Sequence, residues 1–218
     1  MVARACAYGT GPLLRRFAFT PLEAVATDTY RTNVAISPNG KHIAFITAGS
    51  EGKLWVQDLD QQQPRAIDGT EGAIGPFWSP GSDFIGFAAG GELKKVSVHG
   101  GLAIRVCELP GPLFPGGTWS PDGELIVFSS GPPRVLYEVP SRGGTPNLLI
   151  SPEESEGSPG GPTGEIVHPH FLPSEAGARV LVFTFWFQSE QTMMVQNLET
   201  GQRELLGSGT VPVSLLSG

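Results

Sequence analysis

A short turn signal recurs along this chain at a nearly constant step: Ser37-Pro38-Asn39-Gly40, Ser79-Pro80-Gly81-Ser82, Ser120-Pro121-Asp122-Gly123, and a degraded fourth copy at Leu172-Pro173-Ser174. The prolines stand 42, 41 and 52 residues apart, and a period of about 40 to 45 residues is what one four-stranded propeller blade occupies. The turn has a mechanical basis. Proline presets φ at the second position, Asn or Asp tolerates the third, and glycine takes the left-handed fourth position that lets the chain reverse.

Each copy contains four short apolar runs. They are 32–36, 42–47, 54–57 and 65–67 in the first, and 75–78, 84–88, 93–98 and 104–107 in the second. The third has 117–119, 125–129, 135–139 and 147–150, and the fourth has 166–171, 180–185, 192–197 and 203–206. None shows convincing helical periodicity. Gly100-Gly101 and Gly143-Gly144, with Thr200-Gly201 as their counterpart, fall between the third and fourth runs and suit tight hairpins. Two turn signals in phase with the runs predict an all-β propeller of four-stranded antiparallel blades. About four blades are expected, as an incomplete ring.

The predicted organisation is a tail at 1–16, a lead-in at 17–31, and blades at 32–67, 68–107, 108–150 and 151–206, with a second tail at 207–218. Where the tail meets the lead-in, 16–20 has the character of an outer strand that closes a ring. The longer step to the fourth copy reads as an inserted loop at 151–164, rich in Ser, Pro, Glu and Gly. Such an insertion is cheap, because doubling a loop costs only about 0.6 kcal/mol of closure entropy. An open arc of four blades is expected to expose strand edges and apolar blade faces that favour self-association.

Thirty glycines and 20 prolines alongside 39% hydrophobic residues let the chain build a core while turning very often. The formal net charge is −7, and no Lys/Arg run is present that could neutralise phosphates, so nucleic acid is not an expected partner. Cys6 and Cys107 lie in unrelated segments and match no metal or redox spacing. No signal-peptide run follows Met1, and no stretch approaches the roughly 18 apolar residues of a membrane span. The sequence itself therefore carries no address.

Trp78 and Trp119 immediately precede Ser-Pro turns, and Ile36 and Phe171 hold the same slot in the outer copies. An aromatic there buries about 150 to 250 Å², so blade packing is its expected role. Trp55 and Trp186, on other strands, are likewise read as core or blade interface rather than as a ligand platform.

In an up-and-down blade the turns alternate between two rims. The Ser-Pro and Gly-Gly turns share one. The links from second to third strand and from blade to blade share the other, which is expected to collect Glu51, Asp68, Glu71, Glu92, Glu108, Glu153, Glu154, Glu156, Glu165 and Glu190 against only Lys53 and Arg134. This second rim is the candidate docking surface for a basic protein, peptide or cation, since same-sign charge around a ring concentrates its field.

The sequence contains no Gly-x-Ser-x-Gly nucleophile elbow, no phosphate-binding Gly-x-x-x-x-Gly-Lys loop and no kinase catalytic loop. Asp83-Phe84-Ile85-Gly86 has only a superficial likeness to a kinase metal-binding motif. His168 and His170 flank Pro169 and could share a metal from one side of an extended segment, but no third ligand is evident. Asp58 and Asp60 lack the Gly and Glu of a calcium loop. No catalytic, cofactor-binding or metal-ligating residue is assigned, and no enzymatic activity is expected in this chain.

The repeat resembles the blades of TolB-type, WD-repeat-like propellers over about residues 17 to 206. Three stretches resemble, more narrowly, the C-terminal sensor propellers of bacterial eukaryotic-like serine/threonine kinases. They are Gly69-Thr70-Glu71-Gly72 with Pro76-Phe77-Trp78-Ser79-Pro80, Gly117-Thr118-Trp119-Ser120-Pro121-Asp122-Gly123, and His168-Pro169-His170-Phe171-Leu172-Pro173. Rings of the resembled family generally have six or more blades, so the resemblance implies that this chain of four is a fragment of a larger protein. It also implies a non-catalytic sensing or interaction module in the extracytoplasmic part of a membrane-anchored protein. Two other readings stand beside it: the accessory propeller of a hydrolase similar to prolyl oligopeptidases, and a TolB-like periplasmic envelope protein.

Overall fold

The structure, a computed structural model, describes residues 33–48, 52–61, 63–152, 164–173, 178–187 and 190–208. The predicted ring-closing segment, both tails except residues 207 and 208, and most of the predicted insertion lie outside the described residues. The described chain forms four antiparallel four-stranded sheets. In the first, β1 (Val34–Ile36), β2 (His42–Ile46), β3 (Leu54–Asp58) and β4 (Arg65–Ala66) lie side by side in chain order. The second holds β5 (Ile74–Trp78), β6 (Phe84–Ala89), β7 (Glu92–Ser97) and β8 (Ile104–Glu108). The third is β9 (Leu113–Trp119), β10 (Leu125–Gly131), β11 (Val135–Pro140) and β12 (Asn147–Ile150). The fourth is β13 (Glu165–Phe171), β14 (Val180–Phe187), β15 (Glu190–Asn197) and β16 (Arg203–Ser208). Each sheet is one blade, as the two turn signals predict.

The first strands lie next to one another, β1 beside β5, β5 beside β9 and β9 beside β13, so they line the inner side of an arc whose outer edge is made by the fourth strands. Among the described residues no comparable seam joins β1 to β13. Three inner strands share an irregularity. The ladder slips between Ile74 and Phe77 in β5, opposite Ser129–Gly131 in β9, and between Val167 and His170 in β13. Pro76, Pro115 and Pro169 lie inside these breaks. A proline has no N–H to give a ladder, so a bulge is where a strand can carry one. This is why β9 begins at Leu113, four residues earlier than the run 117–119 predicts: the strand continues through Pro115-Gly116 instead of starting after them.

The core lies in the seams between blades. Ala44, Leu54 and Val56 of blade one meet Trp78, Ile85, Phe87 and Val96 of blade two. Phe77 and Leu93 meet Phe114, Trp119, Ile126 and Phe128 in the next seam. Val127, Leu136 and Ile150 meet Ile166, Phe171, Leu181 and Phe183 in the last. Each fully buried large apolar side chain contributes about 1.5 to 3 kcal/mol.

The slot before the Ser-Pro turn behaves as predicted in three blades and differently in one. Trp78, Trp119 and Phe171 are 7%, 7% and 6% exposed, whereas Ile36 is 50% exposed. The reason is direction. Each buried slot residue packs against the blade that precedes it in sequence, and no described blade precedes the first. Trp78 also donates its indole N–H to the carbonyl of Ala35 at 3.0 Å, tying blade two to β1.

The Ser-Pro turns are closed by their serines. Ser37, Ser79 and Ser120 are buried, and each hydroxyl oxygen accepts the N–H of the residue five positions on: His42 at 2.9 Å, Phe84 at 3.0 Å and Leu125 at 2.9 Å. Each hydroxyl donates in turn to a side-chain oxygen, that of Asn39, Asp83 or Asp122. In the second turn Ser82 takes the glycine position at φ 62°, and its hydroxyl accepts the N–H of Asn39 in the neighbouring turn at 3.1 Å.

Candidate functional site

The strand order places the turns on two rims as the sequence predicts. On the second rim, Thr70 is fully buried, accepts the N–H of Leu54 at 3.1 Å and donates to the carbonyl of Ile67 at 2.5 Å. Gly69 and Gly72 on either side have φ of 74° and 72°. The Gly-Thr-Glu-Gly stretch is thus a clasp that fixes the crossing from blade one to blade two.

Six of the ten predicted acidic residues lie among the described ones. Lys53 Nζ sits 2.9 Å from Asp68 and 3.2 Å from Glu71. The two carboxylates raise the Lys53 pKa, and Glu71 is held below the ordinary carboxylate range by its own backbone N–H and by Lys53. Glu92 bridges Lys94 at 3.0 Å and Arg105 at 3.2 Å, and Arg105 also reaches Glu108 at 2.8 Å. Glu165 pairs with Arg134 at 3.1 Å. Glu190 is exposed and forms no ion pair among the described residues. Counting charges by link missed Lys94 and Arg105, because they stand on β7 and β8 and reach the rim acids from the strands. Glu51, Glu153, Glu154 and Glu156 lie outside the described residues.

The first rim carries His42 against Asp58, with Nδ1 2.6 Å from the carboxylate, Arg65 3.8 Å away and the ring stacked on Trp78 at 5.9 Å. Asp58 therefore serves this cluster. The Ser37 hydroxyl nearby is taken up by the turn bonds to His42 N–H and Asn39. His168 has φ 53° inside the register break of β13, so the regular alternation that would set it on one side with His170 is broken. No group of three metal-ligand side chains occurs among the described residues. Trp55 stacks on Phe45 at 6.4 Å, and Trp186 lies under Arg134 at 6.0 Å. Both are half-buried.

A groove of about 410 Å³ opens on the second rim by the seam of blades two and three. Pro110-Gly111-Pro112, Gly131-Pro132-Pro133 and Ser151-Pro152 form its walls, and Val135, Tyr137 and Leu148 line it from β11 and β12. Sequence reasoning missed it because its five prolines sit in three separate links. Clustering of Pro in second-rim links, 110 and 112 with 132 and 133, was the available signal.

Four sheets of this topology, joined through apolar seams with their first strands innermost, define a β-propeller fold of TolB-like, WD-repeat-like type. The chain is similar in structure to a putative TolB from Agrobacterium tumefaciens, with TM-score 0.66 and 16% identity over 85% of this chain and 68% of that one. It is similar to TolB from Acinetobacter baumannii, with TM-score 0.65 and 19% identity over 83% of this chain and 44% of that one. The Cps50 (Swd1) β-propeller domain of Myceliophteria thermophila matches with TM-score 0.56 and 13% identity over 86% and 59%. The chain thus spans between 44% and 68% of these proteins, and at such identities the likeness is one of fold. No protein-family model matches the sequence, and no curated protein does either.

Proposed function

We propose that this chain is a non-catalytic protein-interaction propeller that docks a partner on its second rim. The observation that carries this reading is the groove beside Tyr137, which opens on that rim where blades two and three meet. The rim's ion pairs suit the role. Asp68, Glu71 and Glu108 are exposed, and exposed pairs are worth only about 0 to 1 kcal/mol each, so a partner's basic side chains can exchange with Lys53 and Arg105 at little cost. Within this reading, the resemblance of three stretches to kinase-associated sensor propellers favours a sensing role in a larger protein.

Photo-cross-linking side chains placed at Glu190 on the second rim and at Arg142 on the first test the proposal. Adducts to a protein partner are expected from position 190, weakening as salt rises from about 0.05 to about 0.5 M as screening lengths shorten. Adducts formed only from position 142 would sink it.

A further inference from the structure

The groove's chemistry is one-sided. Five of its lining residues are prolines, which offer carbonyl oxygens and no N–H. Gly111 is also committed, its N–H donating to the Ser130 hydroxyl at 3.1 Å while its carbonyl accepts from that hydroxyl at 3.1 Å. The walls therefore offer few backbone N–H groups, which favours an occupant that brings its own donors. Tyr137 adds a second preference. One face of its ring lies against Phe128, with centroids 5.8 Å apart and planes 24° from parallel, and the ring also lines the groove. An aromatic residue in a wall poor in backbone N–H groups suits a planar, weakly hydrated cation that both stacks and donates.

Two neighbours extend the match. Leu148 is 55% exposed at the edge of the groove, where it can cover the aliphatic stem of a long side chain. Glu108, 77% exposed by side chain and two residues before Pro110, forms a surface pair with Arg105. The volume, about 410 Å³, lies at the small end of ligand pockets, which run from about 300 to about 1,000 Å³. It suits one long side chain with its flanking backbone better than a folded domain.

We propose that this groove receives an arginine side chain presented by an extended segment of a protein partner. The proposal rests on the reading of the second rim as a docking surface and names what that surface selects. The guanidinium donates to proline carbonyls and lies along Tyr137, and the stem packs on Leu148.

The test uses the full chain and the capped peptide acetyl-Pro-Arg-Pro-amide as probe, with citrulline and lysine versions beside it, read by backbone amide shifts in NMR titrations. The expected result is shifts at Gly111, Tyr137 and Leu148, with the arginine peptide binding about fivefold or more tighter than the citrulline peptide. Tyr137→Leu is expected to remove that preference. Because Tyr137 also packs in the seam, Leu148→Lys serves as the second variant: its exposed side chain tolerates change, and a like charge there should weaken the arginine peptide while leaving the citrulline peptide unaffected. Equal binding of arginine and citrulline peptides, a lysine peptide that binds as tightly, shifts centred away from the groove, or no shifts at all would overturn the assignment. Rim cross-linking at position 190 is measured in parallel. Its persistence without peptide binding would remove the arginine assignment alone, and its loss as well would remove the docking reading.

Discussion

Cys107 lies on β8 with its thiol in the seam between blades two and three, where burial pushes its pKa up to about 11. The thiolate is the reacting species. In a chain carrying Cys6→Ser, alkylation of Cys107 near neutral pH is expected to be on the order of a hundredfold slower in the native protein than in denaturant, as two pKa units imply. Equal rates would show that the seam does not shield it. His170 on β13 responds to pH instead of to reagent. Burial holds its ring below the ordinary histidine pKa, so the unfolded chain takes up the proton first as pH falls. The stability this neutral ring contributes is full above about pH 6.5 and is lost as pH drops through the folded-state pKa. Urea titrations at about pH 7.5 and about pH 5 should therefore show the wild type losing more stability than His170→Gln. A larger loss in the variant would contradict this sign.

At the level of the element, the Ser-Pro turn is decided by a residue whose role its spacing did not disclose. The proline and glycine explain how the chain reverses, but the buried serine supplies the acceptor for the first N–H of the returning strand. Ser120→Ala is expected to destabilise the protein by about 0.5 to 1.5 kcal/mol, the net worth of the hydrogen bond lost at the partly buried Leu125 N–H. It should also let the Asp122 carboxyl rise toward its ordinary pKa, because the Ser120 hydroxyl is the main influence holding it down. An NMR titration that finds Asp122 unmoved would refute the turn geometry. Strand positions were legible from the apolar runs because each blade buries strand residues in at least one seam with a neighbour. The start of β9 was not, because Pro115 normally argues against a strand, and only the shared bulge makes room for it. The ion pairs of the second rim were hidden for a similar reason: Lys94 and Arg105 read as strand residues until the sheet brings them beside Glu92 and Glu108.

Across the whole molecule, each blade is joined to the next by a seam with its own polar ties. Between blades three and four, the buried Ser129 hydroxyl donates to the carbonyl of Ile166 at 2.6 Å, the Ile166 N–H donates to Arg134, and the Phe171 N–H reaches the Thr118 hydroxyl at 3.3 Å. Repeat architectures sum blade and nearest-neighbour terms. Ser129→Ala should cost about 1 to 2 kcal/mol and speed amide exchange in β13–β16 while leaving β5–β8 unchanged. Uniform acceleration through every blade would mean that the arc opens as a single unit. The number of blades and the existence of two rims could be read from turn spacing alone. The groove could not, since it exists only where three links distant in sequence converge.

The backward lean of Trp78, Trp119 and Phe171 gives the arc a direction in time as well as in space. A chain leaves the ribosome from its N-terminus, and its domains generally fold as they emerge. Each anchoring ring then appears only after the surface that receives it has been made, so each blade can be added onto a finished neighbour without waiting for the one behind it.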